Sequence, residues 1–337
     1  MSIREIAKRT GVSVSTVSRA LNNYADVNQE TRLKIMQVAE ELNYFPNSSA
    51  RSLVMRKTHL IALFCGDQIS SNFDAYIQEI NAVRTVAGNA GYDLLIFSNR
   101  NKERATYATL CRERSVDGAF LILNREEKKK KDQIAELERL GVPCVTVNFK
   151  LDGERCSYAE CDNFQGTKDA VLHLIGLGHR KIGFIGGDTY GKAGVDRVNG
   201  YISALHETGI LLDSQLMQFG YFTENGAREA AKKIMDTVPD VTAIFVASDT
   251  MALTVIDILR SRGLQVPEDI SIVGFGDTKE GKYAQPPLTT VNLMKYEQGK
   301  LATEFLIRMI EDPKEHPAPV TFPCQLIVRG STDYAKS

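Results

Sequence analysis

Through residues 1–46 the apolar positions recur at helical spacing. From residue 58 onward they gather into short unbroken runs separated by amphipathic stretches. Ile3, Ile6 and Ala7 share one face of a first helix, with Ser2 and Glu5 spaced as a capping box. Thr10-Gly11-Val12 forms a tight turn, and Ser13 is placed to cap a second helix that ends at Leu21 and turns Val17, Ala20 and Leu21 inward. Asn28 can cap a third, on which Ile35, Val38, Ala39 and Leu42 follow the i, i+3, i+4, i+7 pattern. Three short helices around one tight turn predict a helix-turn-helix unit, closed by Pro46. Residues 47–57 then offer Asn47 or Ser48 as a cap and little more than two turns of helix, too short to be stable alone in water.

The runs that follow alternate with helical patterns. "LIALF", "DLLIF", "GAFLIL" and "PCVTVN" read as buried strands, with helices from Phe73, over 102–115 and over 126–140 between them. A second series consists of "YAECD", "KIGFIGG", "AIFVAS" and "SIVGFGD", with helices over 164–177, 195–208, 225–236 and 250–262. After "PPLTTVNL" come a helix over 296–311 and a single strand from Val320 to Arg329. Repeated strand–helix alternation predicts two doubly wound parallel sheets in tandem.

Composition adds one asymmetry. Residues 1–58 carry nine Lys/Arg against five Asp/Glu, a net of +4, while the rest of the chain, with 32 against 37, carries −5. A basic head on an acidic body points to a polyanion as the partner of the head. No apolar run approaches the ~20 residues of a membrane span, and no secretory leader precedes the first helix, so a cytoplasmic protein is expected. The six cysteines are scattered and read as reduced core residues. The five histidines show no metal-ligand spacing, so neither a metal nor a cofactor is expected. "GFIGG" does not complete a dinucleotide-binding loop, and no nucleophile elbow or phosphate loop is present. The chain does not read as an enzyme; an enzyme on a Rossmann-like body is the alternative from another class.

The second helix poses a chemical question. Its Ser13, Ser15, Thr16 and Ser18 are mediocre helix formers, and Arg19 follows them. Caps alone require neither the arginine nor the basic connector. Short hydroxyl side chains that permit close approach, plus one long donor, suit a helix laid in the major groove of DNA.

These residues also carry a resemblance. "IREIAKRTGVSVSTVSRALN", "VNQETRLKIMQVAEELNYFPN" and "ARSL" resemble the lactose/galactose-repressor (LacI/GalR) family of bacterial regulators. The likeness continues through "GYDLLIFS", "DGAFLIL", "GHRKIGFIGG", "DRVNGYISAL", "TAIFVASDTMAL", "VPEDISIVGFGD", "PPLTTVN" and "VRGST". It implies an all-α head (1–46), a hinge helix (47–57) and an α/β periplasmic-binding-protein-like body (58–337) for effector binding and dimerisation. The body would comprise an N-subdomain of about 58–161 and 293–322 and a C-subdomain of about 162–292 and 323–337.

By their motif positions, Arg19 would read a base, Val14 and Ser15 would select the operator sequence, and Thr16, Ser18 and Asn28 would sit at the DNA. Leu53 of the hinge helix, beside Ser49 and Ala50, would wedge into the minor groove. The effector would meet Phe73, Asp74, Asn148, Asp162, Arg197, Ser248, Asp249 and Asp277, although Asp249 could instead cap the helix it precedes. The implied partners are a palindromic duplex operator, a second copy of the chain in a dimer without a tetramerising heptad segment, and a sugar, sugar phosphate or sugar acid. Where the family reads Gly-Phe-Asp-Asp, this chain has Gly274-Phe275-Gly276-Asp277. One hydroxyl-binding carboxylate is thereby lost beside Arg197, with Lys150 nearby, which favours an anionic effector. The resemblance is compatible with a carbohydrate repressor and also with a global regulator that needs a corepressor or a protein partner.

Overall fold

The structure is a computed structural model that describes residues 2–22, 24–44, 57–65, 76–97, 106–123, 127–151, 153–189 and 191–336. The chain divides into two units, residues 1–59 and 60–337. The first holds α1 (Ile3–Thr10), α2 (Val14–Leu21) and α3 (Gln29–Glu41). Ile6, Val17, Ala20, Ile35, Ala39 and Leu42 form its core. Gly11, at φ +74°, ends α1 and donates to the Ala7 carbonyl at 2.9 Å. Ser13 Oγ accepts the Thr16 N–H at 3.0 Å and Asn28 Oδ1 accepts the Glu30 N–H at 2.8 Å, so both caps form. The Ser2–Glu5 box does not close. The Glu5 N–H goes to the Ser2 backbone carbonyl, and the exposed helix start leaves the other first-turn donors to water. The expected hinge helix, with Ser49, Ala50 and Leu53, lies outside the described residues, as do Phe73 and Asp74.

The second unit contains two six-stranded sheets. The first has the order β11-β5-β4-β3-β1-β2, from β1 (Leu60–Cys65), β2 (Asp93–Phe97), β3 (Gly118–Ile122), β4 (Cys144–Val147), β5 (Cys156–Cys161) and β11 (Val320–Phe322), all parallel. Around it lie α4 (Ile77–Asn89), α5 (Tyr107–Arg114), α6 (Glu127–Arg139) and α12 (Lys295–Glu311). Alternate residues of one strand face opposite sides. Ile61 and Leu63 join Phe305, Leu306 and Met309 of α12, whereas Ala62 and Phe64 join Cys111 and Leu137. Covered on both faces, β3 is buried at every position, which is why it reads as an unbroken apolar run.

The second sheet has the order β12-β10-β9-β8-β6-β7, from β6 (Ile182–Gly186), β7 (Met217–Phe219), β8 (Ala243–Val246), β9 (Ser271–Phe275), β10 (Thr289–Asn292) and β12 (Gln325–Ile327). All pairs are parallel except β10 with β12. Its helices are α7 (Asn163–Gly176), α8 (Lys192–Glu207), α9 (Glu224–Thr237), α10 (Asp249–Ser261) and the short α11 (Lys279–Tyr283). Phe184 and Phe245 stack at 5.7 Å between centroids in its core.

The chain passes from one sheet to the other after β5, after β10 (through α12) and between β11 and β12. The single strand expected from Val320 to Arg329 is therefore two strands in different sheets. Pro323 lacks the N–H to continue a ladder, and the chain breaks there and at Cys324. Two other boundaries move for local reasons. Helix α5 starts at Tyr107 because Thr106 caps it through the Thr109 N–H, and α8 starts at Lys192, three residues before the expected position. The short β7 and α11 were not expected.

Candidate DNA-reading helix and ligand cleft

On α2 the apolar side is spent on the core, and Val14, Ser15 and Arg19 remain exposed, with Thr16 and Ser18 half-buried. Ser13 Oγ lies 2.7 Å from Ser15 Oγ and 2.8 Å from Thr16 Oγ1, so three hydroxyls cluster beside the free N–H groups of the helix start. Arg19 is engaged. Its Nε donates to Asp26 Oδ1 at 3.2 Å, its Nη2 to Asp26 Oδ2, and its guanidinium lies 5.0 Å from the Tyr24 ring centroid. Asn28, exposed at the start of α3, spends its amide oxygen on capping.

In the body, the carboxyl ends of the parallel strands meet where the sheets face each other. Asn148, Phe149, Lys150 and Glu160 of the first sheet's side line a cleft with Asn163, Lys192, Ala193 and Asp196 of the second. Lys192 Nζ lies 2.8 Å from Asp196 and 3.5 Å from Glu160, the latter pair spanning the cleft. Asn148, at φ +56°, accepts the Cys161 N–H at 3.3 Å and so ties the end of β4 to the end of β5. Asp162 caps α7 through the Gln165 N–H at 2.9 Å, and its own N–H donates to the Phe322 carbonyl at 2.9 Å.

Arg197 of α8 lies beside that lining, next to Asp196 in the chain and bonded to Asn163. Its Nε and Nη2 donate to Asn163 Oδ1 at 3.0 and 2.9 Å, and its Nη1 donates to the Ala247 carbonyl at 2.7 Å. The guanidinium lies 4.0 Å from the Phe275 ring centroid, with the Phe222 ring at 5.9 Å. Burial lowers its pKa, against the opposing charges of Cys161, Cys324, Asp188 and Asp196. Three of its five N–H donors are thus used in fixing its plane.

Three other expected contacts are employed elsewhere. Ser248, not Asp249, caps α10, accepting the Met251 N–H at 3.3 Å. The Asp249 carboxylate is buried, 1% exposed, and accepts from Thr290 Oγ1 at 2.5 Å and the Thr278 N–H at 2.7 Å; it stitches α10 to the segments before α11 and in β10 rather than facing open space. Burial raises its pKa, against these two donors. Asp277 pairs with Arg329 at 2.6 Å and accepts from Asn292 Nδ2 at 3.1 Å. Gly276 has φ +139°, which an aspartate would adopt only under strain, so the missing carboxylate follows a backbone requirement as well.

The residue pattern alone did not single out Asn163, Phe222, Phe275 or Lys192. Asn163 stands next to Asp162, and its role depends on α8 packing beside α7. Phe222 belongs to the aromatic cluster "FGYF" after β7, where Tyr221 and Phe222 both have positive φ. Its ring lies on Gly187, and a Cβ there would collide with it. That close approach accounts for the last glycine of "GFIGG" without any dinucleotide.

A helix-turn-helix head carried on the same chain as a two-sheet body with a ligand cleft defines a DNA-binding regulator controlled by a small molecule. Residues 2–47 match the bacterial regulatory proteins of the lacI family, and residues 171–332 match the periplasmic binding protein-like domain. The chain is 32% identical over 337 residues to the HTH-type transcriptional regulator CelR of Thermobifida fusca, covering 98% of each. It is 31% identical over 333 residues to the HTH-type transcriptional repressor CytR of Escherichia coli, covering 98% of this chain and 96% of that one. A CelR–cellobiose complex matches with a TM-score of 0.73 at 30% identity, over 98% of this chain and 99% of the other. The lac repressor dimer bound to operator and the anti-inducer ONPF matches in fold, with a TM-score of 0.83 at 23% identity over 99% of both. The protein belongs to the lacI family of bacterial transcriptional regulators. None of the described helices is long and apolar enough to cross a membrane.

Proposed function

We propose that the protein is a cytoplasmic, non-enzymatic repressor that binds a palindromic operator as a homodimer and releases or grips it according to a carbohydrate-derived effector in the cleft. The observation that carries the reading is the pairing of an exposed Ser/Thr/Arg face on α2 with a fixed arginine, Arg197, at the carboxyl ends of a parallel sheet. Val14, Ser15 and Arg19 meet base edges, Thr16, Ser18 and Asn28 meet phosphates, and Ser49, Ala50 and Leu53 engage the minor groove at the operator centre. The cellobiose in the CelR complex supports a carbohydrate effector for this relative.

Within that class we favour a molecule bearing a carboxylate or phosphate. Asp277 is paired with Arg329, and Asp249 is buried with its oxygens held by Thr290 and Thr278, so neither presents a free carboxylate to an anion. Arg197 has donors to offer beyond Asn163 and Ala247, and Lys150 and Lys192 stand on the rim. The test is calorimetry of a sugar, its phosphate and its uronate against wild type and Arg197→Ala, beside operator selection from a random duplex pool. Tighter binding of the anion that Arg197→Ala abolishes is the expected result. Equal binding of the neutral form overturns the charge argument, and no sequence preference in the selected pool overturns the repressor.

A further inference from the structure

Strands β4 and β5 are neighbours in the first sheet, and their register sets Cys144 beside Cys156. Residues paired in this way point to the same side of a sheet whose strands stand about 4.8 Å apart. That spacing falls within the range of about 4.4–6.8 Å between Cα atoms over which a disulfide closes. The two sulfurs are 3.0 Å apart and share a hydrogen bond. Cys144 is buried at the start of β4, whereas Cys156 is half-buried and follows the exposed Gly153 and Glu154.

We propose that Cys144 and Cys156 are a modification site at which hydrogen peroxide forms a disulfide, closing a ring that fixes the cleft wall of Asn148, Phe149 and Lys150.

The ring follows from the order of the chain. The two cysteines are 12 residues apart. Between them the chain leaves β4, supplies Asn148, Phe149 and Lys150 to the cleft, and returns to the start of β5. The Phe149 carbonyl accepts from Thr146 Oγ1, and the Asn148 N–H donates to the Ala159 carbonyl at 2.8 Å. At the base, the Cys144 N–H donates to the Arg155 carbonyl at 2.9 Å. A covalent link there ties both ends of the segment and removes conformations in which it opens.

Access divides the work between the sulfurs. Cys156 is the one that solvent reaches, so it meets the peroxide. The hydrogen bond with Cys156 and burial both push the Cys144 thiol up, which keeps its proton on until its neighbour is oxidised. Cys111, packed on the same side of the sheet, is 1% exposed, and burial pushes its thiol up to about 12.

Cys156 gives its proton to water and, as thiolate, attacks one oxygen of the peroxide, breaking the O–O bond. A sulfenic acid forms, and the departing hydroxide takes a proton to leave as water. The Cys144 sulfur then attacks the sulfenic sulfur. Its proton leaves with the displaced hydroxide as a second water. Two thiols become one disulfide, and one peroxide is reduced to two waters.

The test treats the full chain with hydrogen peroxide, alkylates the remaining thiols and maps the peptides by mass spectrometry. Amide hydrogen exchange and thermal melting are read before oxidation, after it and after dithiothreitol. The expected result is a Cys144–Cys156 linked peptide lighter by two hydrogens. Exchange at Asn148, Phe149 and Lys150 should slow by about tenfold or more, with a higher melting midpoint, and dithiothreitol should reverse both. Cys156→Ser should lose all three effects, and Cys111→Ser should keep them. Cys144→Ser should leave a sulfenic acid on Cys156 that dimedone traps; should that variant fail to fold, Cys156→Ser at its half-buried position decides alone. That this wall meets an effector rests on the function proposed above. The linked peptide, the exchange and the melting are read without effector or DNA, so either reading can fail while the other stands. No link, a link through Cys111 instead, or a Cys144–Cys156 link with unchanged exchange overturns the proposal.

Discussion

Arg19, proposed above to read a base, is already engaged within the head. Its fork is held by Asp26 and flanked by Tyr24, with both side chains of the ion pair about half exposed. An exposed pair of this kind contributes only about 0.2–1 kcal/mol, whereas a bidentate contact to a base is worth about 1–3 kcal/mol, so the base wins the arginine. Arg19→Ala should therefore cost about 1–3 kcal/mol on the cognate duplex and little on a random one. Asp26→Asn should leave cognate binding unchanged or up to about fivefold tighter, read by fluorescence anisotropy on a labelled duplex, since it removes a competitor worth at most about 1 kcal/mol; clearly weaker binding would show that Asp26 organises the arginine instead. His179 makes a pH prediction of its own. It is 2% exposed, between Thr242 Oγ1 at 2.9 Å and the Asp333 carbonyl at 3.0 Å, and burial lowers its pKa below 6.5. The unfolded chain then takes the proton more readily, so its contribution to stability is present above pH 6.5 and is lost as pH falls through 6.5 toward the lower folded value. Thermal midpoints between neutral and mildly acidic pH should fall less steeply in His179→Gln than in wild type.

Among the elements, the contact of α7 with α8 matters most to the cleft. Gly200 of α8 sits where a Cβ would meet the Phe164 carbonyl oxygen, and Phe164 follows the Asn163 that holds Arg197. Gly200→Ala must push the start of α7 away. The expected outcome is about 1–3 kcal/mol of lost stability by denaturant melting, together with weaker effector binding. Effector affinity unchanged in a destabilised variant would mean that the start of α7 moves without disturbing the arginine. The same scale shows what the residue pattern could carry. Runs such as Gly118–Ile122 and Ile182–Gly186 are buried on both faces and announce themselves as strands. The split of residues 320–327 into two sheets does not, because strand pairing is a long-range outcome and Pro323 reads as a minor interruption. Arg197 stood out only through its motif position in the family resemblance, in "DRVNGYISAL". The employment of Asp249 was not legible, since its partners Thr278 and Thr290 lie 29 and 41 residues away and only the packing of α10 brings them together.

At the scale of the whole molecule, the proposed effector control asks the body to choose between two arrangements, and contacts across the cleft would weigh them. The Lys192–Glu160 pair is one: Lys192 is well exposed, Glu160 is mostly covered, and the two charges are 3.5 Å apart. Such a pair is worth at most about 1 kcal/mol, which corresponds to about a fivefold shift between closed and open forms. Glu160→Gln should weaken effector binding by up to that factor at low salt and by less at high salt, read by calorimetry at two ionic strengths. No change at either would place the balance wholly in the crossing segments.

Those crossings have a further consequence for the order in which the protein is made. β11 completes the edge of the first sheet and β12 the edge of the second, and both lie within residues 320–327, after every other strand among the described residues. The three-helix head, by contrast, is finished within residues 3–41. A chain emerging from the ribosome thus has a complete three-helix head long before either lobe of its body is closed, which waits for residues 320–327. A chain broken off before Val320 would retain the DNA-binding head and lack the finished body that senses the effector.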